Sequence, residues 1–170
     1  MVAEKYLPGF YCDMDGVLVD FEQGAHKTIG KDISHPNAKI TKTDWIKISR
    51  NTRFWFDLPP MSDAMVLWDY IRRFNPSILS AYPDTDKQNA IRGKIYWCVK
   101  HLLIPTSRIH VVARKEKQLF AIDHKTKRPN VLIDDYEQNI EEWRKAGGIA
   151  IHHVGARSTI AKIERLGYYK

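Results

Sequence analysis

Apolar positions along the chain follow two rhythms. Short runs rich in Val, Ile or aromatic residues occupy 10–13, 77–81, 109–113, 131–134 and 149–153. Runs this brief, bounded by turn signals, predict buried strands. Between them the apolar residues recur at helical spacing. Residues 63–74 place Ala64, Leu67, Trp68 and Ile71 on one face, and 87–102 place Ile91, Ile95, Val99 and Leu102 on one face. Residues 137–146 stop at Gly147-Gly148, a C-terminal signal. Residues 159–166 close the chain with Ile160 and Ile163 inward. Asn75-Pro76 and Ile104-Pro105 mark breaks between helix and strand, since a residue before proline is pushed out of the helical region.

Strands alternating with helices predict an α/β fold: a Rossmann-like parallel sheet of about five strands with helices on both faces. One segment departs from the alternation. Residues 21–58 contain no β run but predict a helix at 21–29, a polar turn at Ser34-His35-Pro36-Asn37 and a short amphipathic stretch at 43–48. This reads as a small helical cap over the carboxyl end of the sheet. The expected division is a core of 1–20 and 59–170 with a cap of 21–58.

Composition narrows the class. The chain has 170 residues, 44% hydrophobic and 28% charged, which excludes a disordered chain, a collagen-like repeat and a disulfide-rich toxin. Its longest apolar runs are far shorter than the roughly 20 residues of a membrane helix. No secretory signal is evident at the start, and the two cysteines, Cys12 and Cys98, lack C-x-x-C spacing. The expectation is a cytoplasmic protein with reduced thiols and no membrane partner. A net charge of +7 favours anionic partners, although basic loops also serve solubility. The densest basic stretches are 114–117 and 125–128.

In parallel sheets the ligand crevice lies at the carboxyl ends of the strands. Those ends deliver Asp13-Met14-Asp15, Ser80, the basic stretch after Ala113, and Asp134-Asp135. Carboxylates that converge on one point repel unless a cation or a proton sits between them. Asp13, Asp15 and Asp134 are hard oxygen ligands suited to Mg2+, which shares its sites with substrate phosphate. A hydroxyl such as Ser80 and a lysine can stabilise a transferring phosphoryl group. A carboxylate can itself act as the nucleophile. Each feature alone is weak: Asp-Gly is a common turn, Ser80 a common strand-end hydroxyl, and Asp134-Asp135 an ordinary helix start. Their order at matched strand ends gives them weight.

These four stretches resemble the four motifs of the haloacid dehalogenase superfamily of phosphohydrolases. Asp13-Met14-Asp15-Gly16-Val17-Leu18-Val19-Asp20 is similar to the first, Ile78-Leu79-Ser80-Ala81 to the second, Arg114-Lys115-Glu116-Lys117-Gln118 to the third, and Leu132-Ile133-Asp134-Asp135 to the fourth. Phe54-Trp55-Phe56-Asp57-Leu58 and residues 94–100 resemble the 5'(3')-deoxyribonucleotidase branch. The resemblance implies Mg2+-dependent hydrolysis of nucleoside monophosphates. Asp13 would be the nucleophile and Asp15 the general acid and base. Asp13, Asp15 (through its backbone carbonyl) and Asp134 would hold the metal. Ser80, Ala81, Met14 and Lys117 (or Lys115) would hold phosphate. Lys117 is preferred, as the start of a stretch that can open a helix.

Phe21, Phe54 and Trp55 could stack on a base or pack the cap onto the core. His152-His153 and Cys12 read as structural. The partner expected is a small nucleotide, with a polynucleotide end, tracked by the basic loops, or another phosphorylated metabolite as alternatives.

Overall fold

The structure, a computed structural model, describes residues 8–35 and 38–169. Pro36 and Asn37 of the expected polar turn lie outside the described residues. A single parallel sheet carries the core, with strands β1 (Phe10–Cys12), β2 (Ser77–Ala81), β3 (Ile109–Val112), β4 (Val131–Asp134) and β5 (Ile149–His152). Their spatial order is β3-β2-β1-β4-β5. The chain winds outward from β1 to β3, then returns to the other side of β1 for β4 and β5. The reversal falls beside β1, where such sheets open a crevice.

Each strand feeds two cores because successive side chains point to opposite faces. Phe10, Cys12, Ile78, Ile133 and Ile151 enter the larger core, with helices α3 (Ala64–Ile71), α4 (Lys87–Leu102) and α6 (Ala156–Arg165) on that side. Leu79, Leu132 and Trp143 form the smaller core, with Tyr11, Val112 and Ala150 packed against it. Helix α5 (Glu137–Lys145) and a 3-10 segment at Arg114–Phe120 cover that face. The strand limits agree with the apolar runs to within a residue. The expected 63–74 helix tightens into a 3-10 turn at Arg72–Phe74.

Helix α4 corrects the sequence reading. Its limits are as expected, but its buried face is Ala90, Gly93, Lys94, Trp97, Cys98 and Leu102. Val99 is exposed, and Ile91 and Ile95 are only half-buried. The period was right and the phase wrong. Similarly, Ile163 of α6 is buried while Ile160 is half-buried.

Between β1 and α3 the chain forms helices α1 (Phe21–Ile29) and α2 (Lys42–Arg50) and a 3-10 turn at Phe54–Phe56. Asp20 caps α1 by accepting from the Gln23 N–H at 2.8 Å, and Gly30, at φ 75°, ends it. Thr41 and Asp44 cap α2 reciprocally. Lys31 donates to Asp44 at 2.5 Å, joining the end of α1 to the start of α2. Gly93 brings this unit onto the core: a Cβ there would stand 2.4 Å from Trp55 Cβ and 2.9 Å from its backbone carbon. No helix among the described residues is long and apolar enough to cross a membrane.

Candidate active site

Strand β1 ends in a tight loop. The Asp13 N–H donates to Ile133 O at 2.8 Å, carrying the β1–β4 pairing one residue further. Met14 O then accepts from the Leu18 and Val19 N–H groups. Gly16 turns the chain at φ 71°, a conformation that costs other residues about 1–2 kcal/mol. The loop holds Asp13 and Asp15 at the carboxyl end of the sheet, beside Asp134 and Asp135 at the end of β4.

Asp13, Asp134 and Asp135 converge, each offering an oxygen within 4.8 Å of the others. Lys117 lies among them, almost wholly buried, with Nζ 2.9 Å from Asp13 Oδ1 and donating to Asp134 Oδ2 at 2.8 Å. Asn139, in the first turn of α5, donates to both Asp134 oxygens, and the Tyr136 N–H donates to Oδ1. Burial, then the Asp13 charge, pushes the Asp134 carboxyl up to about 6. Asp135 is exposed as a residue; desolvation of its carboxyl against the cluster, then Asp13 and Asp134, push it up to about 7. Burial works against the Lys117 charge, but Asp13 and Asp134 outweigh it and hold its pKa above the ordinary lysine value.

Asp15 has a different partner. Its Oδ2 accepts from Lys94 at 2.5 Å, while Oδ1 is buried with no hydrogen-bond partner. Burial raises the Asp15 pKa, Lys94 opposes the rise, and Asp13 adds to it. Lys94 also donates to Ser80 Oγ at 2.9 Å and Ala81 O at 2.8 Å.

These groups border a cleft of about 470 Å³. Asp13, Asp15, Ala81 and Lys117 line it, with Phe21 and Met61 as its apolar side and Arg114 at its rim. Arg114 is already paired with Glu142 at 2.8 Å and with Asn139. The donor set suits a hard divalent cation: three carboxylates converge where, among the described residues, one ammonium touches two of them.

Several expected site residues lie elsewhere. Phe54 and Trp55 are 3% and 1% exposed, so neither offers an open ring face for a base. Phe54 packs edge-on to Trp55, and Phe21 stacks on Trp55 at 5.9 Å. Trp55 also donates to Asp86 at 2.7 Å. Only Phe21 of the three reaches the cleft. Met14 and Ser80 have no exposed surface; Met14 lies against Cys98. Of the third-stretch lysines, Lys117 reaches the acids and Lys115 is exposed. The 3-10 segment carrying them begins at Arg114, not at Lys117. The Asp15 carboxylate turns to Lys94, and Asp135 stands beside Asp13 and Asp134 as the third converging acid.

Basic residues do not form one surface around the cleft. The loop 124–129 precedes β4, and the neighbouring Asn130 N–H donates to Ala121 O while the Val131 N–H donates to Gly9 O. That loop therefore lies at the amino end of the sheet, opposite the acids. The histidines 152 and 153 bond Asp135 O and Thr159 Oγ1 respectively. Burial pushes the Cys98 thiol up to about 12 and Cys12 well above the usual thiol range, so both stay protonated.

Sequence reasoning missed Lys94, Asp135 and Asn139 as members of the constellation. Asp135 was visible as the second acid of its pair, and Asn139 as a polar residue opening a helix. Lys94 was visible only as the start of the 94–100 stretch of the resemblance, with no role attached to it.

No family model matches the chain, and no curated protein matches it. Solved structures do. A hydrolase from Streptococcus pneumoniae TIGR4 is similar over 93% of this chain and 98% of its own, with a TM-score of 0.56 at 12% identity. A hydrolase of the haloacid dehalogenase-like family from Streptococcus pneumoniae is similar over 96% of this chain and 99% of its own, with a TM-score of 0.51 at 12% identity. The chain has the fold of haloacid dehalogenase-like hydrolases. At this identity the likeness concerns the fold.

Proposed function

We propose that this protein is a Mg2+-dependent phosphomonoesterase of the haloacid dehalogenase type, acting on small phosphate esters, with nucleoside monophosphates as the first class to test. The observation that carries the reading is the convergence of Asp13, Asp134, Asp135 and Lys117 at the carboxyl ends of β1 and β4, with Asp15 beside them. Asp13, Asp134 and Asp135 would hold the metal. A divalent cation held there would supply positive charge that offsets the acids and polarises a phosphoryl group.

The chain's own residues account for the remaining steps. Asp13 attacks phosphorus, and the P–O ester bond breaks with its electron pair going to the leaving oxygen. Asp15, whose pKa desolvation raises against the pull of Lys94, gives that oxygen its proton. Water then attacks the aspartyl-phosphate and yields its proton to Asp15, which restores the Asp13 carboxylate. Lys117, fixed between two acids, faces the charge on the phosphoryl oxygens. A reaction with a halide leaving group has no oxygen to protonate and gives Asp15 no task.

The nucleotide part of the reading rests on the sequence resemblance and on Phe21, which with Met61 gives the cleft an apolar wall. Phosphate release from nucleoside monophosphates, simple sugar phosphates and 5'-phosphorylated oligonucleotides, with Mg2+ and with chelator, tests it. Mg2+-dependent release lost in Asp13→Asn is expected. No Mg2+-dependent release from any ester, or full activity in Asp13→Asn, would overturn the proposal.

A further inference from the structure

Helix α4 offers two apolar stripes. Ile91, Ile95 and Val99 form one, and Ala90, Gly93, Trp97 and Cys98 form the other, with Lys94 at its centre. The fold buries the second and leaves Val99 40% exposed. Lys94 is 0% exposed. Burying an ammonium is costly unless its donors are all satisfied. They are: Asp15 Oδ2, Ser80 Oγ and Ala81 O accept at 2.5, 2.9 and 2.8 Å. The Trp55 ring covers the ammonium at 5.0 Å, seated there by the missing Cβ of Gly93.

A buried ammonium held this way is a weak source of stability, and apolar replacements of similar volume often pack as well. The arrangement does something that packing alone does not. It occupies one oxygen of Asp15 and leaves the other, Oδ1, buried and without a partner. We infer that Lys94 is a positioning residue: by holding Oδ2 it fixes the orientation of the Asp15 carboxyl, whose side chain lines the cleft and is 31% exposed, for its proton transfers. This rests on the phosphomonoesterase reading above. The proton on the Asp15 carboxyl passes to the ester oxygen as the P–O bond breaks, and the proton of the attacking water returns to that carboxyl. Lys94 keeps its own protons throughout.

The role separates from a structural one by leaving group. A p-nitrophenolate departs without a proton, whereas an alkoxide needs one. Rapid acid quench with p-nitrophenyl phosphate and with glycerol phosphate, in Mg2+, measures phosphoenzyme formation from each. Lys94→Met should form phosphoenzyme from the aryl ester within a few-fold of the unmodified protein, and lose about 100-fold or more on the alkyl ester, the scale of general acid catalysis. In an Asp15→Asn background, Lys94→Met should change neither rate further. Lys94→Gln, which retains donors toward Ser80 and Ala81, is measured alongside and should show the same split. Equal slowing on both esters in the folded variants, no slowing on either, or a double variant slower than Asp15→Asn alone would overturn the inference. Absence of phosphoenzyme from both esters in the unmodified protein would instead remove the phosphomonoesterase reading and this inference with it.

Discussion

Replacing Lys117 with methionine removes the cation that touches both Asp13 and Asp134. The side chain is 4% exposed and Asp134 is wholly buried, so water does not make up the loss. Removing one partner of a buried ion pair costs about 3–5 kcal/mol. For a chain of this size each kcal/mol moves Tm by about 2–4 °C, which gives a fall of about 10 °C in chelator at neutral pH. The deficit should shrink at about pH 5, because Asp134, already raised to about 6, then takes up a proton and no longer needs a counter-charge. Mg2+ should raise the Tm of the variant by more than it raises that of the unmodified protein, since it meets a more negative cluster. Differential scanning calorimetry of both proteins, with Mg2+ and with chelator at the two pH values, reads each effect. A Tm within about 2 °C of the unmodified protein, or a smaller Mg2+ gain in the variant, would refute this description of the charge balance.

Other expectations follow from the same geometry. Gly16→Ala places a Cβ 2.0 Å from Asp135 Oδ2, so Asp135 must leave the cluster; calorimetric titration should show Mg2+ binding weakened about tenfold or more, and unchanged affinity would separate Asp135 from the metal. Asp134 and Asp135 have pKa values raised by desolvation and by neighbouring acids. Their unfolded forms lose protons first, so stability in chelator should fall as pH climbs from about 4 to about 7, and added Mg2+ should raise Tm more at about pH 8 than at about pH 5; equal gains would contradict it. Phe21→Ala should raise KM for nucleoside monophosphates about tenfold, the worth of a stacking contact, while leaving KM for glycerol phosphate unchanged; equal changes would mean that Phe21 only packs the segment onto the core.

The strands were legible because a parallel sheet is buried on both faces, so each strand reads as an unbroken apolar run. The acids at their ends followed from the same register. The face of α4 was not legible. Its two stripes compete, and one contains a lysine that any hydropathy pattern counts as polar, so the Ile91-Ile95-Val99 face looked like the core. What reverses the choice is tertiary: Asp15, Ser80 and Ala81 arrive from other strands to satisfy Lys94. Phe54 and Trp55 illustrate a different limit. An aromatic pair near a cleft reads the same whether it stacks a ligand or packs; here burial of both rings decides for packing, with Gly93 admitting Trp55 onto the core. Net charge also misleads locally, since Arg114 is paired with Glu142 and Lys117 is buried among acids.

The central claim is a covalent phosphoryl group on Asp13. Rapid acid quench of the protein with Mg2+ and a hydrolysed ester, followed by peptide mass mapping, should find one phosphoryl group on the peptide carrying Asp13. It should be absent from Asp13→Asn and enriched in Asp15→Asn when the ester is p-nitrophenyl phosphate. Mg2+-dependent phosphate release that proceeds with no phosphoryl group on that peptide would contradict the account.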